Sequence, residues 1–148
     1  VTPREASAAL CLITANTEPE HMIGVFSNKF AQFNGIKADM HIEDAVKAIS
    51  NLPFGSTDIA SPMLWAMENK IDFDLIACYT DNQTWAGFTH PSQALDKYRK
   101  LKGSDCKFVS VAMEASGGSV SDPDDAGMLN VVGFDTSTPK AISEFASL

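Results

Sequence analysis

The feature that most constrains the fold is a short apolar run at residues 75–80, which ends abruptly at Asp81 and Asn82. An apolar run of this length, bounded by polar residues, is typical of a strand buried on both faces of a parallel sheet. The Asp81 carboxylate then follows the carboxyl end of that strand. In open α/β sheets this is the edge where ligands bind. The sequence therefore predicts a functional site around Asp81.

The rest of the chain alternates helical and strand patterns. Further apolar runs at 22–26, 108–113 and 129–134 predict strands, and we expect the first to pair antiparallel with the segment after the turn at 27–29. The predicted fold is α/β and doubly wound: a mostly parallel central sheet with helices on both faces and one antiparallel edge strand. One domain covering residues 1–148 fits this length.

The helices are predicted from apolar residues at helical spacing. The buried stripe of the first helix, which begins at Thr2-Pro3, is predicted to include Ala6, Ala9, Leu10 and Ile13. Four more helices are predicted, one of which runs through Met63, Leu64, Ala66 and Met67. The buried positions predicted for the other three are Ile42, Ala45, Val46, Ile49 and Leu52, then Ala94, Leu95, Tyr98 and Leu101, and finally Ala141, Ile142 and Phe145. The first helix is an anomaly, because a strand should precede it in a doubly wound fold.

The formal net charge of −8 argues against direct binding of nucleic acid, because an acidic surface repels phosphate backbones. The three cysteines, Cys11, Cys78 and Cys106, match no metal motif, and we expect free thiols in a reducing compartment. No apolar run approaches the ~20 residues of a membrane span. The chain starts at Val1 with no signal-peptide pattern, so we expect a segment upstream.

A hydroxyl and a carboxylate converge at the predicted sheet edge. Thr57 lies in a Gly-Ser-Thr-Asp loop before a helix, and Asp81 lies at the end of a strand. Such oxygen ligands suit a hard cation such as Mg²⁺. The alternative is structural: Thr57 caps the next helix and Asp81 caps a turn. Trp85, in the polar loop that follows, is a candidate for exposure to a partner.

The remaining motifs are weaker signals of function. The acidic stretch 122–127 lacks the EF-hand pattern, which favours a solvated turn over a calcium site. His90, before Pro91, is interpreted as a helix-entry residue. The sequence contains no nucleophile elbow, P-loop, dinucleotide-binding turn or zinc signature, so we expect no enzymatic activity.

Several motifs resemble one family. Gly55-Ser-Thr-Asp58 and the stretch 79–87, Tyr-Thr-Asp-Asn-Gln-Thr-Trp-Ala-Gly, are similar to a von Willebrand factor A domain. His90-Pro91, Asp122-Pro-Asp-Asp125 and Gly133-Phe-Asp-Thr136 resemble, more narrowly, the A domain of the Ro sixty-kilodalton autoantigen family, the TROVE-domain ribonucleoproteins. The resemblance extends over nearly the whole chain.

The resemblance implies a metal-ion-dependent adhesion site (MIDAS) whose metal ligands include Thr57 and Asp81. Ser56, Asn82, Thr84 and Trp85 would then lie in the loops that face a partner. The family's Asp-x-Ser-x-Ser loop and the central strand before it are not present, so the domain is expected to be truncated at its amino end. The missing strand would lie between 22–26 and 75–80, and another segment would have to supply it.

The resemblance also implies a function. In Ro proteins a helical-repeat ring, which is not part of this sequence, binds Y RNA and misfolded small noncoding RNA. The expected role here is a non-enzymatic interaction domain holding Mg²⁺ or another divalent cation, weakly in this fragment, with an acidic partner side chain completing the site. The expected location is the cytoplasm, with the nucleus as a second compartment, and no membrane partner. The alternatives are an extracellular adhesion or matrix A domain and a Mg²⁺-dependent hydrolase.

Overall fold

The computed structural model describes residues 3–26, 30–52, 58–82, 89–114, 124–132 and 137–148. Within these ranges the chain forms five α-helices and five β-strands. It divides into two compact units, residues 1–56 and residues 57–148, which are taken in turn. The element order confirms the predicted α/β class.

The first unit combines two helices with a β-hairpin. Its elements are α1 (Pro3–Thr17), β1 (Gly24–Phe26), β2 (Phe30–Gln32) and α2 (Ile42–Ser50). Strands β1 and β2 pair antiparallel, with Gly24 opposite Gln32 and Phe26 opposite Phe30. The predicted antiparallel pairing is therefore confirmed.

Small side chains allow α1 and α2 to pack closely. Ala8 and Ala45 are fully buried in a cluster with Ile36 and Ile49, and Cys11 and Leu12 of α1 pack against it. Positions 8, 11 and 12 share one helix face, since residues three and four apart lie side by side. Ile13 lies off that face and is 41% exposed, and Ile42 is 44% exposed, so the predicted burial of these two residues was wrong.

The second unit contains a three-stranded parallel sheet. Its elements are α3 (Ser61–Glu68), β3 (Leu75–Asn82), α4 (Pro91–Lys102), β4 (Lys107–Glu114), β5 (Met128–Val132) and α5 (Thr138–Ala146). The strand order is β3-β4-β5, and both pairs are parallel. The predicted parallel sheet is therefore confirmed, and the antiparallel pair β1–β2 forms a separate two-stranded sheet in the first unit.

Helix α5 covers one face of the parallel sheet. Val109 and Val111 of β4 are fully buried in a cluster with Ile142 and Phe145 of α5. Lys107 extends to the carboxyl end of α5, where its Nζ donates to the carbonyl oxygens of Phe145 at 2.8 Å and Leu148 at 2.6 Å. A lysine ammonium among the last carbonyls of a helix satisfies acceptors that have no partner within the helix.

The phenol of Tyr98 links helix α4 to the segment that precedes β3. The hydroxyl of Tyr98 donates to the carbonyl of Ile71 and accepts the N–H of Phe73, each at 2.7 Å. Because Tyr98 is fully buried, both hydrogen bonds are shielded from water, and burial raises the pKa of the phenol. Ala94, Leu95 and Tyr98 are buried as predicted, whereas Leu101 is 65% exposed, so that part of the prediction was wrong.

Candidate functional site

The carboxyl edge of the parallel sheet is the predicted location of the site. Thr80 of β3 pairs with Ala112 of β4, which pairs with Val132 at the end of β5. Strands β3 and β4 continue to the pair Asn82–Glu114 at the same edge of the sheet. The backbone of Asp81 belongs to β3 at this edge. The strand therefore extends two residues beyond the predicted run 75–80, and Asp81 lies within its carboxyl end rather than after it.

The ligand set itself stays a prediction. Thr57, Ser56, Thr84 and Trp85 lie outside the described residues, and for Asp81 and Asn82 the structure describes the backbone alone. Asp58, which follows Thr57 directly, is described and half-buried. Its Oδ1 accepts the N–H of Ala60 at 3.1 Å, which forms a turn at the entrance to α3.

His90 forms the amino-terminal cap of α4. Its Nδ1 accepts the backbone N–H of Ser92 at 3.1 Å and lies 2.8 Å from the Ser92 hydroxyl. Pro91 follows in the first turn, where its missing N–H costs nothing. The interpretation of His90 as a helix-entry residue is confirmed. The turn formed by Asp58 was missed, although an aspartate before a helix is a recognisable signal for such a turn.

An arginine of α4 forms an ion pair with the acidic stretch before β5. Arg99 of α4 donates from Nη1 to Oδ2 of Asp125 at 2.5 Å and from Nε to the carbonyl of Cys106 at 2.8 Å. The other carboxylate oxygen of Asp125 accepts the N–H of Gly127 at 2.8 Å. Both oxygens of Asp125 thus bind protein donors, which favours the solvated turn over a calcium site.

The pKa of Asp125 reflects this environment. Burial raises the pKa of the carboxyl, but the hydrogen bonds from Arg99 and from the N–H of Gly127, with the charge of Arg99, outweigh burial. The net result is a pKa below the ordinary aspartate value. The ionised form is therefore the one that the folded protein stabilises.

One edge of β3 has no strand partner among the described residues. Lys107 donates its N–H to the carbonyl of Asp74 at 3.0 Å, which fixes the phase of the parallel hydrogen-bond ladder. In such a ladder alternate residues bond to the same neighbour, so the N–H and C=O groups of Leu75 and Ala77 point away from β4. Leu75, Ile76 and Ala77 are also half-buried rather than buried.

The described residues lack two further features. No three histidine, cysteine, aspartate or glutamate side chains there lie close enough together to hold a metal ion. In the same ranges, no helix combines the length and the apolar character needed to cross a membrane. All three cysteines are free thiols, as predicted.

Helices that alternate with parallel strands, together with an antiparallel hairpin, are the elements of an A-type α/β domain. A model of the Ro60 vWA domain family matches residues 1–146. The chain is 41% identical over 145 residues to the "RNA-binding protein RO60" of Caenorhabditis elegans, covering 97% of this chain and 22% of that protein. It is 40% identical over 146 residues to the protein of the same name from Deinococcus radiodurans, covering 99% and 27%. The chain belongs to the Ro60 vWA domain family.

Solved structures agree. The crystal structure of the Deinococcus radiodurans RO (RSR) protein matches 98% of this chain and 29% of that chain, with a TM-score of 0.89 and 40% identity. Proximal thread matrix protein 1 from the mussel byssus matches 98% of this chain and 43% of that chain at a TM-score of 0.59 and 12% identity, which shows the fold alone. The chain spans only about a quarter of the length of the RO60 relatives, 22% and 27%.

Proposed function

We propose that this chain is a metal-dependent interaction domain of a Ro-type ribonucleoprotein. The observation that carries the proposal is its 40% identity, over 99% of its length, to a relative named as an RNA-binding protein. The RNA, which we expect to be Y RNA and misfolded small noncoding RNA, binds a helical-repeat domain outside these residues. The net charge of −8 supports this division, since the domain alone would repel RNA.

The metal site lies at the carboxyl edge of the parallel sheet in this proposal. Thr57 would provide a hydroxyl oxygen and Asp81 a carboxylate oxygen, and this donor set fits a hard cation. Mg²⁺ or another divalent cation would supply an open coordination position for an acidic side chain of a protein partner. Ser56, Asn82, Thr84 and Trp85 would face that partner. The role is one of binding rather than catalysis.

The open edge of β3 supports a second part of the proposal. The outward N–H and C=O groups of Leu75 and Ala77 are the groups that a further parallel strand would bond. We propose that a segment outside residues 1–148 adds this strand. Such a strand would end at the same edge as Asp81, so its following loop would bring further ligands to the ion. Without that segment, two protein ligands should hold Mg²⁺ weakly, because the ion gives up its water reluctantly.

Metal titration of the longer protein tests the proposal. Calorimetry should show stoichiometric Mg²⁺ binding that Asp81→Asn and Thr57→Ala abolish, while binding of small noncoding RNA is retained. Residues 1–148 alone should bind Mg²⁺ markedly more weakly. Tight RNA binding by residues 1–148 at physiological salt, or full Mg²⁺ binding by Asp81→Asn, would contradict the proposal. A phosphatase assay of the same variants checks the non-enzymatic role, for which we expect no Mg²⁺-dependent turnover.

Localisation is part of the proposal. The free thiols of Cys11, Cys78 and Cys106 agree with a reducing compartment, and we propose the cytoplasm with the nucleus as a second site. Fractionation of cells expressing the longer protein, followed by detection of the protein in each fraction, tests this assignment.

A further inference from the structure

An asparagine of the first unit precedes a glycine in a segment without regular structure. Asn34 and Gly35 follow β2 in a stretch that is neither helix nor strand, and Asn34 is exposed. Asn34 is also the one asparagine of the sequence that a glycine follows directly. Because glycine has no side chain, nothing on Gly35 itself shields its backbone nitrogen. The pair therefore places an exposed carboxamide next to an unshielded backbone nitrogen.

The backbone nitrogen of Gly35 is available for reaction. Among the described residues, its N–H donates no hydrogen bond. The residues that follow Asn51 and Asn69 differ, since their N–H groups donate to the carbonyls of Ile49 at 3.1 Å and Met67 at 3.3 Å. A nitrogen held in this way has to lose its hydrogen bond before it can react.

The carboxamide of Asn34 is arranged for attack at its carbon atom. Nε2 of Gln32 donates to Oδ1 of Asn34 at 3.3 Å, and a donor there stabilises the negative charge that develops on the oxygen when a nucleophile adds. In the described part of the chain, Nδ2 of Asn34 donates no hydrogen bond. By contrast, Nδ2 of Asn16 and of Asn69 each donates to a backbone carbonyl at 2.9 Å.

The packing of the first unit requires glycine at position 35. A Cβ atom on Gly35 would collide with the ring of Phe33. That ring packs against the buried cluster that contains Ile36, and the N–H of Phe33 donates to the carbonyl of Ile23 at 2.7 Å. The ring cannot shift without losing core contacts. The same packing therefore maintains the glycine that leaves Asn34 reactive.

We propose that Asn34 is a site of spontaneous deamidation in the folded protein. The backbone nitrogen of Gly35 loses its proton to solvent and forms a bond to Cγ of Asn34. The bond from Cγ to Nδ2 breaks, and ammonia leaves with a proton from water, which produces a five-membered succinimide. Asparagine is a chemically labile residue, and this reaction needs no enzyme.

Water then opens the succinimide in one of two ways. Cleavage of the new carbon–nitrogen bond produces aspartate with the original backbone. Cleavage of the original peptide bond produces isoaspartate, in which the backbone runs through the former side chain. Each route consumes one water and releases one ammonia in total, and nothing is oxidised or reduced.

Isoaspartate at position 34 should disturb the core of the first unit. The modified residue has one more methylene group in the backbone, between two residues that the core holds in place. Ile36 is 5% exposed, and Phe33 packs against its cluster. A longer connection moves one of these side chains out of its contacts, so we expect the modified protein to be less stable than the original.

Peptide mass spectrometry of the longer protein tests the site. The folded protein is incubated at physiological temperature, at neutral and at mildly alkaline pH. We expect Asn34 to exchange its NH₂ group for OH ahead of Asn16, Asn51 and Asn69. The exchange should be faster at alkaline pH, because the attacking nitrogen has to lose its proton. Conversion at Asn34 no faster than at Asn51 and Asn69 would overturn the proposal.

Two variants control for the mechanism. Asn34→Gln should lose the conversion, because a glutamine side chain would have to close a larger ring. Asn51→Gln is the matched control, and it should leave the conversion at Asn34 unchanged. Equal conversion at position 34 in the Asn34→Gln protein would exclude attack by the nitrogen of Gly35.

Thermal unfolding tests the effect on the core. The fraction that contains isoaspartate, separated by chromatography, should unfold at a lower temperature than fresh protein. Asn34→Asp has the added charge with an unchanged backbone, and it should unfold close to the wild type. If the isoaspartate fraction unfolds at the same temperature as Asn34→Asp, the longer backbone does not disturb the core, and that part of the proposal is wrong.

Discussion

Strands β3 and β4 lie side by side, each eight residues long, yet their surroundings differ. Strand β4 has a parallel partner on each side, and its residues from Phe108 to Ala112 are all buried. Strand β3 pairs with β4 on one side, and in the described part of the chain its other edge has no strand partner. Its residues Leu75, Ile76 and Ala77 are only half-buried.

The comparison shows that β3 has the composition of an interior strand, although it lies at the edge of the sheet that the described residues form. Apolar side chains on both faces are typical of a strand inside a parallel sheet rather than at its edge. An edge strand is usually protected by charges, proline or a bulge. Residues 75–80 contain no charged residue and no proline, and their register with β4 is continuous, without a bulge.

The largest expected effect contrasts two residues that pair across these strands. Phe108 of β4 is 0% exposed, whereas its register partner Ile76 of β3 is half-buried. Phe108→Ala should lower the free energy of unfolding by about 3–5 kcal/mol, and Ile76→Ala by roughly 1–2 kcal/mol, because less apolar surface is lost. Urea denaturation measures both. Equal losses of unfolding free energy for the two variants would contradict the difference in burial between β3 and β4.

Lys107, the first residue of β4, gives the next largest effect. Lys107→Met keeps the apolar stem but removes the donor to the carbonyls of Phe145 and Leu148, and should cost about 1–2 kcal/mol. Lys140→Met is the control, since the Nζ of Lys140 lies 3.9 Å from Glu144 in an exposed pair. Thermal unfolding that does not distinguish the two variants would contradict the anchoring role of Lys107.

The contribution of the Arg99–Asp125 ion pair to the free energy of unfolding should depend on pH. Because the pKa of Asp125 is lowered in the folded state, its contribution is complete above the unfolded pKa of about 3.9 and is lost as pH falls through the folded value. Asp125→Asn should therefore cost about 1 kcal/mol at pH 7, and this cost should decrease as the pH falls below the unfolded pKa. Urea denaturation across this range tests it. A cost that does not change with pH would exclude the ion pair with Arg99 as its source.

The smallest effect concerns a polar residue in the middle of β4. The hydroxyl of Ser110 is buried and, among the described residues, accepts and donates no hydrogen bond. Ser110→Ala should leave the free energy of unfolding unchanged or raise it by up to ~1 kcal/mol, since no hydrogen bond is lost. A loss above this size in urea denaturation would show that the hydroxyl has a bonding role.

Much of this fold follows from local patterns. The apolar run at 75–80 predicted β3 correctly, and the spacing of Ala94, Leu95 and Tyr98 identified the buried face of α4. Ile42 and Leu101, near helix ends, were assigned wrongly because periodicity alone cannot tell how far along a helix its neighbours extend. Ile13 was assigned wrongly because it lies off the face of α1 that packs on α2. The contacts of Arg99 with Asp125 and of Lys107 with α5 join residues far apart in sequence, which no local pattern predicts. The ligand role of Thr57 and Asp81 came from family resemblance and stays a prediction.

The most direct test of the account is amide hydrogen exchange in β3, compared between residues 1–148 and the longer protein. The amides of Ile76 and Cys78 point towards β4 and should be protected in both. The amides of Leu75 and Ala77 should exchange rapidly in residues 1–148 and become protected in the longer protein, where a further strand covers this edge. Equally rapid exchange of Leu75 and Ala77 in both proteins would contradict the central claim that β3 is an interior strand.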